Sequence, residues 1–434
     1  MRRLSISFTD DEIATLFDAV PRNVAIAVAV SGGGDSMALL SLAGRWNAKL
    51  TALTVDHGLR TDSQDEAALV ARYCIDRNIE HEILRWEPDT HGNLPNQARI
   101  GRYTLMANAC AARGIDVLLT GHTLDDQAET FLIRLGRGSG VDGLSGIRRR
   151  TMQWGLQIVR PLLTVSRVHL RGYLREQHIV WAEDPTNEDS RYTRVRARQA
   201  LTSLSSIGID PERLARTARS MADASEILED RANALAERIC RSSSLGFVSF
   251  DPVLLCTAPR ETALRLLARM LCTISGQVYR PRLDALEALL TALCSTSFQG
   301  RTLHGCIVDL YRGHCIVQRE PSACTDTIRV RSSRVLWDKR FEVVLPPELS
   351  TRRDLHIAAT GETGLRRLKA EKATLSKEWT ATPRPARLCT PALWQDETLI
   401  AVPLAGWCVD DSAGKVVAVT IDTVPVDPDG EAFI

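Results

Sequence analysis

Residues 24–36, VAIAVAVSGGGDS, decide the fold of this chain. The apolar run at 24–30 predicts a buried β-strand, and the glycines at 32–34 predict a sharp turn into a helix near Ser36. Successive backbone N–H groups at such a turn, together with the helix N-terminus, form a cradle for an anion. The Gly-Lys-Ser/Thr ending of a Walker loop is absent. The segment therefore predicts a phosphate loop of another kind, with a plain glycine-rich turn as the alternative.

Short apolar strands alternate with helical patterns on the C-terminal side of this loop. Strands are predicted at 24–30, 50–55, 80–84 and 116–120, and helices at 36–44, 63–77, 94–113 and 125–136. This alternation, with almost continuously apolar strands, predicts a parallel sheet that is covered on both faces. Such sheets bind ligands beyond the carboxyl ends of their strands, so we look for functional residues there.

Two further strand ends carry polar side chains. Asp56 and His57 follow the second strand, where they suit contact with a nucleotide, and a polar capping turn is the alternative. After the fourth strand, His122 precedes Asp126 and Glu129, two acids that share one face of the predicted helix. A pair of carboxylates there suits a cationic ligand or Mg²⁺, and acids that only complement the helix dipole are the alternative. The histidine and the phosphate loop nearby favour a functional site.

The composition is that of a globular protein: 434 residues, 44% hydrophobic and 25% charged. The apolar run at 24–30 is far shorter than the roughly 20 residues of a membrane helix, and the first residues lack the apolar core of a secretory signal. We therefore expect a cytoplasmic protein without a membrane partner. The eleven cysteines include no C-x-x-C pair, which predicts buried, reduced thiols and neither a disulfide framework nor a zinc ribbon.

The pattern changes near Asp210, where Asp-Pro predicts the start of a helix. Apolar residues then follow a heptad-like spacing that is interrupted at Ser225, which predicts one long amphipathic connector helix. Two more helices and a hairpin are predicted beyond it, at 260–272, 282–294 and 301–319. The expected domains are 1–210, 211–325 and 326–434.

Several motifs carry a resemblance to a known family. Residues 31–36 resemble the S-G-G-x-D-S loop of the PP-loop ATP pyrophosphatases. Further motifs resemble those of one branch, the tRNA(Ile)-lysidine synthetase family: LTVDHGLR at 53–60, GHTLDDQAET at 121–130, ARIGRY at 98–103, RPLL at 160–163 and EDPTN at 183–187. The resemblance is dense over residues 20–200 and weaker beyond them. One departure is Val195, which stands where the family usually has asparagine.

The resemblance implies an α/β fold, in which a parallel-sheet PP-loop domain, similar to adenine nucleotide alpha-hydrolases, precedes a helical middle domain and a small mixed α/β domain. It also implies a two-step ligase reaction that uses ATP and Mg²⁺. ATP adenylates the C2 oxygen of the wobble cytidine in the CAU anticodon of an isoleucine tRNA, with release of pyrophosphate. L-lysine then displaces AMP to give lysidine, which reads AUA codons. A homodimer is compatible with this resemblance and is not required by it.

The residues and the resemblance together assign a role to each candidate. The catalytic candidates are Asp35, Arg99, His122, Asp126 and Glu129. The nucleotide-binding candidates are Ser31, Gly32, Gly33, Gly34, Asp35, Ser36, Asp56 and His57, and Asp35 is also the candidate Mg²⁺ ligand. Asp126 and Glu129 are expected to pair with the lysine ammonium group. The tRNA-binding candidates are Arg148, Arg149, Arg150, Arg194, Arg196 and Arg198.

Basic side chains are concentrated in two stretches, although the net charge of the chain is only +1. Residues 134–175 hold nine arginines against one acid, a local charge of +8, and residues 352–387 have a local charge of +5. Arginine pairs with phosphates and stacks on bases, so both stretches suit an RNA partner. A solvated basic loop is the alternative for the first stretch.

Three other functions are compatible with a PP-loop. A tRNA thiolase would be expected to use reactive cysteines, and the chain has no cysteine pair for that role. A non-catalytic, ATP-dependent tRNA-binding protein would not need the acids at Asp126 and Glu129. A small-molecule amide ligase would need an ammonia source, and no glutaminase motif is evident. The lysidine synthetase interpretation explains the largest number of residues.

Overall fold

The computed structural model describes residues 7–47, 49–56, 63–86, 94–183, 191, 193–277, 279–410 and 413–420. The chain divides into two compact units, the first ending at Ser225 and the second beginning at Glu226. The predicted three-domain division stays a prediction, and the second unit contains residues from both of the later domains.

The first unit follows the predicted alternation of strands and helices. Its helices are α1 (Asp10–Leu16), α2 (Gly34–Trp46), α3 (Ser63–Asp76), α4 (Leu94–Ala112), α5 (Leu124–Gly136), α6 (Val141–Leu144), α7 (Arg167–Glu176) and α8 (Thr193–Leu204). Its strands are β1 (Ile26–Ala29), β2 (Leu50–Asp56), β3 (Glu80–Arg85), β4 (Val117–Leu119), β5 (Arg150–Gln153) and β6 (Leu156–Val159). The predicted strands and helices between residues 24 and 136 are confirmed to within about two residues.

These strands form a mostly parallel sheet in the order β3-β2-β1-β4-β6-β5. β1 lies between β2 and β4 and is parallel to both, with Ile26 opposite Leu50 and Val117. β5 is antiparallel to β6 and closes a hairpin that the sequence patterns did not predict. The predicted fold class is confirmed, and the phosphate loop follows the central strand β1.

Alternate residues of β1 enter cores on opposite faces of the sheet. Ile26 and Val28 pack with Met37 of α2, whereas Ala27 packs with Tyr103 of α4 and with Leu118. Because both faces are covered, the strand needs apolar side chains at consecutive positions. The polar residues are left to the loops at the carboxyl ends of the strands.

A long helix, α9 (Pro211–Ile239), confirms the predicted connector and crosses the boundary between the two units. The interruption of its heptad pattern has a local cause. Ser225 is buried, and its Oγ donates a hydrogen bond of 2.6 Å to Asp142 Oδ1. A polar side chain therefore occupies a buried position of the helix because it has a hydrogen-bond partner there.

The second unit mixes helices with antiparallel sheets. Its helices are α10 (Pro252–Thr257), α11 (Arg260–Ser275), α12 (Leu283–Leu293), α13 (Pro347–Ser350), α14 (Gly361–Ala370), α15 (Lys377–Ala381) and α16 (Arg384–Leu388). Its strands are β7 (Cys240–Ser243), β8 (Phe247–Phe250), β9 (Arg301–Leu303), β10 (Cys306–Tyr311), β11 (His314–Arg319), β12 (Ile328–Arg329), β13 (Arg334–Trp337), β14 (Phe341–Val344), β15 (Leu355–Ala359), β16 (Pro391–Gln395), β17 (Thr398–Val402), β18 (Trp407–Cys408) and β19 (Val417–Thr420). Within the described part of the chain, no helix has the length and apolar character needed to cross a membrane.

The predicted hairpin after α12 is confirmed in the pairing of β10 with β11 around Arg312 and Gly313. The stretch predicted as its first strand contains a second turn at His304 and Gly305, which separates β9 from β10. The helical middle part also contains a sheet in the order β7-β8-β11-β10-β9. Periodicity did not reveal β7 and β8, which are four residues long and only partly apolar.

One expectation about the cysteines is wrong. Cys256 of α10 and Cys294, which follows α12, form a disulfide across 38 residues of sequence. The other cysteines are free thiols, and most of them are buried. The pairing was not predictable from the spacing, because packing of the helices brings the two cysteines together.

A buried ion cluster holds the second unit together. Asp338 accepts hydrogen bonds from Arg319 and from Arg340, the latter at 2.7 Å. Arg340 also donates to the carbonyl oxygens of Gly246 and Cys389, at 3.1 and 3.0 Å. One buried guanidinium thus ties the β7–β8 turn to the segment after α16.

We predict that Arg340→Met lowers the free energy of unfolding by about 3 kcal/mol, because the buried carboxylate of Asp338 loses one of its two guanidinium partners and two carbonyl oxygens lose their donor. The matched control is Arg334→Met, which removes the exposed pair with Glu342 and should cost less than about 1 kcal/mol. Urea or thermal unfolding measures both values. Similar losses for the two variants would contradict the role given to the buried cluster.

Candidate functional site

The phosphate loop between β1 and α2 is shaped by its own serines. Ser36 Oγ donates to Gly33 O at 2.9 Å and accepts from Ser31 N at 3.2 Å. Among the described residues, no side chain caps the N-terminus of α2 at Gly33. The first N–H groups of this helix therefore remain available to an anionic ligand, as the sequence predicted.

Two glycines allow the backbone segments of this loop to approach closely. Gly32 has a φ of 88°, and a Cβ there would lie 3.2 Å from Glu66 Cβ. Gly121, directly after β4, packs on the loop so closely that a Cβ would lie 3.2 Å from Asp35 O. The amide of Ala182 donates to Gly32 O at 2.9 Å. The loop is thus supported by three other segments of the first unit.

The predicted acid pair begins α5, where Asp126 also caps the helix. Asp126 Oδ2 accepts hydrogen bonds of 2.8 Å from both the amide and the hydroxyl of Thr123. Asp126 therefore stabilises the N-terminus of α5, which was the alternative to a function in ligand binding. His122 Nδ1 lies 3.0 Å from Thr120 Oγ1, which orients the imidazole at the end of β4.

Arg167, at the start of α7, joins three of the predicted catalytic acids. Its Nε donates to Asp35 Oδ2 at 3.1 Å, its Nη2 to Asp126 Oδ1 at 2.5 Å and its Nη1 to Glu129 Oε1 at 2.7 Å. The backbone amide of Arg167 donates to Asp125 Oδ2 at 2.8 Å. Local patterns did not indicate Arg167, because its three acid partners lie more than thirty positions away from it in the sequence.

Glu129 is the most deeply buried of these acids, with 1% of its surface exposed. Its Oε1 also accepts from Arg198 Nε at 2.9 Å. Among the contacts of the described residues, Oε2 has no hydrogen-bond partner. A buried carboxylate oxygen without a donor is costly, so a bound donor at this position would stabilise the site.

The environment moves the pKa values of the acids in opposite directions. Burial raises the pKa of Asp35, and Arg167 offsets part of this effect. Burial also acts to raise the pKa of Asp126, but Arg167, His122 and Arg194 outweigh it and bring the pKa below the ordinary value. Burial opposes the charge of Arg167, yet the three carboxylates raise its pKa. The shifts of the Asp126 and Arg167 pKa values therefore both favour the charged form of the group.

A cavity of about 620 Å³ opens at the carboxyl ends of β1, β2 and β4. The phosphate loop forms part of its wall, and several charged side chains form the rest. The predicted site residues that line it are Ser31, Gly33, Gly34, Asp35, Ser36, Arg99, His122, Asp126, Arg194 and Arg198. Arg167, Arg171, Glu66 and Tyr103 also line it and were not predicted. The cavity brings together an anion cradle, an acid cluster and several guanidinium groups.

Other predicted residues lie away from this wall. The described lining includes Thr54 and Val55 of β2 but not Asp56, and His57 lies outside the described residues. Arg149 donates to the carbonyl oxygens of Thr15 and Leu16 in α1 and pairs with Asp18, just beyond that helix, at 2.7 Å.

The remaining tRNA-binding candidates differ in exposure. Arg150 and Arg196 are exposed, whereas Arg148 is half-buried. Val195 is buried, so the departure from the family pattern affects a packed position of α8.

Side chains of α5 also hold the glycine-rich loop that follows this helix. Gln127 accepts from Ile147 N at 2.6 Å and donates to Ile147 O at 2.7 Å. Arg134 donates to the carbonyl oxygens of Gly143 and Gly146, at 3.0 and 2.9 Å. One helix therefore presents Asp126 to the cavity, holds Glu129 outside the described cavity lining, and also fixes the loop that leads to the arginines at 148–150.

The fold and the site define the class of the protein as a PP-loop nucleotide-binding protein. A glycine-rich loop of this type follows the central strand of the sheet, and residues 8–204 match the family model described as PP-loop domain.

Relatives narrow the class to one family. The tRNA(Ile)-lysidine synthase of Ruegeria pomeroyi is 41% identical over 401 residues, which cover 90% of this chain and 92% of the relative. The tRNA(Ile)-lysidine synthase of Mesorhizobium japonicum is 35% identical over 412 residues, which cover 90% of this chain and 86% of the relative. The chain belongs to the tRNA(Ile)-lysidine synthase family.

Among solved structures, the U34-tRNA thiolase NcsA from Methanococcus maripaludis is similar, with 16% identity and a TM-score of 0.43. The similarity covers 49% of this chain and 77% of the thiolase. No functional conclusion follows from a similarity of this size.

We predict that Gly32→Ala raises the Kd for ATP about tenfold, because a side chain at this φ costs about 1–2 kcal/mol and the added Cβ crowds Glu66. The matched control is Gly44→Ala within α2, where a Cβ would make only an ordinary contact of 3.9 Å with Leu50. Calorimetric titration with ATP measures both. Unchanged ATP affinity in Gly32→Ala would contradict the role of this loop.

We predict that Arg167→Leu lowers the free energy of unfolding by about 3 kcal/mol at pH 7, because the buried carboxylates lose their common cation. The lowered pKa of Asp126 sets the sign of the pH dependence. This stabilisation is complete above the ordinary carboxyl pKa of about 4 and is lost as the pH falls through the lower folded value. The difference between the wild type and the variant should therefore shrink below about pH 4.

The control for this prediction is Arg171→Leu on the same helix, which removes a half-exposed pair with Glu183. It should cost less than about 1 kcal/mol and show little dependence on pH. Urea unfolding between pH 3 and pH 7 measures both variants. A loss for Arg167→Leu that stays constant over this range would argue against the ionic role of Arg167.

Proposed function

We propose that this protein is an ATP-dependent ligase that joins L-lysine to C2 of the wobble cytidine in the CAU anticodon of isoleucine tRNA. The product, lysidine, changes the codon that this tRNA reads from AUG to AUA. The observation that supports this most strongly is the acid cluster around Arg167, which shares one cavity with the phosphate loop. A site for triphosphate and a site for an amine are needed together in this reaction.

In the first step, the C2 oxygen of cytidine attacks the α-phosphorus of ATP. A P–O bond forms to cytidine, and the bond to pyrophosphate breaks with its electron pair leaving on pyrophosphate. The negative charge is stabilised by the backbone N–H groups of residues 32–34 and by Arg99. Arg99 lines the cavity, which supports its assignment. Adenylation makes the C2 oxygen a good leaving group.

In the second step, the ε-amine of lysine attacks C2, and the bond to the AMP oxygen breaks. The incoming ammonium must lose protons in this step, so an acceptor is required. Glu129 Oε2 is the proposed acceptor, because it is buried and has no hydrogen-bond partner among the described residues. Asp126 holds Arg167 and the helix cap, which keeps the charges of the site in place.

Mg²⁺ is a further part of the proposal. Among the described residues, no group of three or more His, Cys, Asp or Glu side chains is arranged to hold a metal ion by itself. Mg²⁺ in nucleotide sites is usually held by one or two carboxylates together with phosphate oxygens. Asp35, a partly exposed carboxylate at the phosphate loop, fits this role. Bound Mg²⁺ would neutralise charge on the phosphates.

The tRNA partner is supported by the distribution of arginines. Arg194 and Arg198 line the cavity, and Arg150 is exposed on β5. In the second unit, α14 carries Arg366 and Lys369 within the second basic stretch, which would contact another part of the tRNA. A homodimer and a cytoplasmic location stay predictions.

The thiolase alternative is not favoured by the cysteines of the first unit. Burial raises the pKa of Cys74 and of Cys110 to about 11. Reactive cysteines have lowered pKa values and are accessible, so these two thiols suit packing. Both lie in the cores that cover the sheet.

The direct test is incubation of the protein with ATP, Mg²⁺, labelled lysine and CAU-anticodon isoleucine tRNA, followed by digestion of the RNA. We expect a labelled nucleoside from the isoleucine tRNA, and none when the methionine tRNA is used in its place. If the protein binds ATP but yields no labelled nucleoside, the proposal fails. Equal labelling of both tRNAs would support the chemistry and contradict the specificity.

The role of the acid is tested separately with Glu129→Gln. We predict that lysine transfer from the adenylated tRNA slows by about 10²-fold or more, whereas adenylation changes much less. The exposed Glu176→Gln on α7 is the control and should behave like the wild type. Release of pyrophosphate and incorporation of lysine report the two steps. Equal loss in both steps would contradict the assignment of Glu129 to the amine.

A further inference from the structure

A flat aromatic pair in the first unit connects the wall of the cavity with the protein surface. The rings of Tyr103 on α4 and Trp154 in the β5–β6 turn are stacked, with centroids 4.6 Å apart and planes inclined by 4°. Tyr103 is buried and lines the cavity. Trp154 retains 38% exposure although it is stacked on one side.

The position of Trp154 is not explained by the turn itself. Trp154 and Gly155 have φ values of 53° and 75°, the pattern of a type I′ hairpin turn, which favours Asn or Gly at its first position. A tryptophan at this φ is strained, because its Cβ crowds the backbone. Stacking on Tyr103 offsets part of this strain. The chain thus keeps a large, partly exposed aromatic ring where a small polar residue would suit the backbone.

Exposed side chains of β5 lie near this pair at the edge of the sheet. Arg150 and Met152 are two residues apart, so they share one face of the strand, and both are exposed, Met152 to 65%. That face is opposite to the one that carries Tyr103, because Arg150 pairs with Val159 of the core on the α2 side, but β5 lies at one end of the strand order, where both faces are open to the edge. We call Arg150, Met152 and Trp154 the hairpin strip, since they lie on one edge hairpin with Trp154 in its turn.

The strip begins at the edge of the sheet where the nucleotide cavity opens. Arg150 pairs with Val159, and Val159 pairs with Leu119, the last residue of β4 before the loop that lines the cavity. The guanidinium carbons of Arg99 and Arg102 lie 5.1 and 5.4 Å from the ring centroid of Tyr103. Cationic groups therefore lie close to the aromatic pair.

This combination suits unpaired nucleotides. Bases that are not paired stack on aromatic rings and on guanidinium planes, and their phosphates pair with arginine. A protein partner is less favoured, because the surrounding stretch at 134–175 has a charge of +8. A paired RNA helix is less favoured as well, because its bases do not present their faces.

We propose that the hairpin strip binds unpaired nucleotides of the RNA substrate, with Trp154 stacking on one base and Arg150 pairing with a phosphate. The proposal rests on the proposed function, since it takes the anticodon loop as the RNA that reaches the cavity. Stacking of a neighbouring base on Trp154 holds the loop open and directs the target cytidine toward the cavity.

The test measures the Kd of the full-length protein for a CAU anticodon stem-loop of isoleucine tRNA at several salt concentrations. Trp154→Ala should weaken binding about tenfold or more, whereas Trp154→Phe should stay within about threefold of the wild type, because phenylalanine also stacks on bases. The slope of log Kd against log salt should not change in Trp154→Ala. In Arg150→Ala the slope should fall by about 1, as for the loss of one phosphate contact.

Control measurements test whether the loss of RNA binding is specific to the hairpin strip and to unpaired nucleotides. Ile207→Ala removes an exposed apolar side chain elsewhere in the first unit and should bind the stem-loop like the wild type. The Kd for ATP should be unchanged in every variant, since none of these side chains belongs to the cavity wall. A fully paired RNA duplex should bind equally to the wild type and to Trp154→Ala.

Three results would overturn the proposal. They are wild-type affinity of Trp154→Ala for the stem-loop, an equal loss in Trp154→Phe and Trp154→Ala, and an equal loss of affinity for the paired duplex. Failure of the proposed function would look different, because the wild-type protein itself would bind ATP but neither bind the stem-loop nor form lysidine.

Discussion

The Arg167 guanidinium is the interaction on which the functional end of the sheet depends. It binds one carboxylate from the start of α2 and two from α5, so a single cation fixes two helices relative to each other. Without it, three carboxylates would face one another at low solvent exposure, and their mutual repulsion would favour protonation or separation. The geometry of the phosphate loop and that of the two acids on α5 are therefore linked through one side chain.

The parallel sheet supplies the framework for this arrangement. Because β1, β2 and β4 run in the same direction, the loops that follow them meet at one edge, and close packing of Gly121 on the phosphate loop brings the two loops into contact. The same helix that presents Asp126 and Glu129 holds the glycine-rich loop through Gln127 and Arg134. The acids at the cavity and the loop that leads to the arginines at 148–150 are thus attached to one helix.

Local patterns predicted a large part of this. The apolar run before Ser31 predicted the central strand, the glycines predicted the turn, and the spacing of Asp126 and Glu129 predicted a shared helix face. The β5–β6 hairpin, α7 and α8 were not predicted, because their strands are short and their surfaces are polar. Arg167 gave no local signal, since one arginine on a mainly polar helix resembles many others in an arginine-rich chain.

The sequence by itself therefore determined the class of fold, the phosphate loop, the order of the elements between residues 24 and 136 and the spacing of the acids on α5, because each depends on residues that are close together in the chain. Tertiary structure alone decided which cation meets the acids and that Cys256 pairs with Cys294. It also decided that Trp154 stacks on Tyr103. These contacts join residues that are distant in sequence, and no local periodicity encodes how the intervening chain packs.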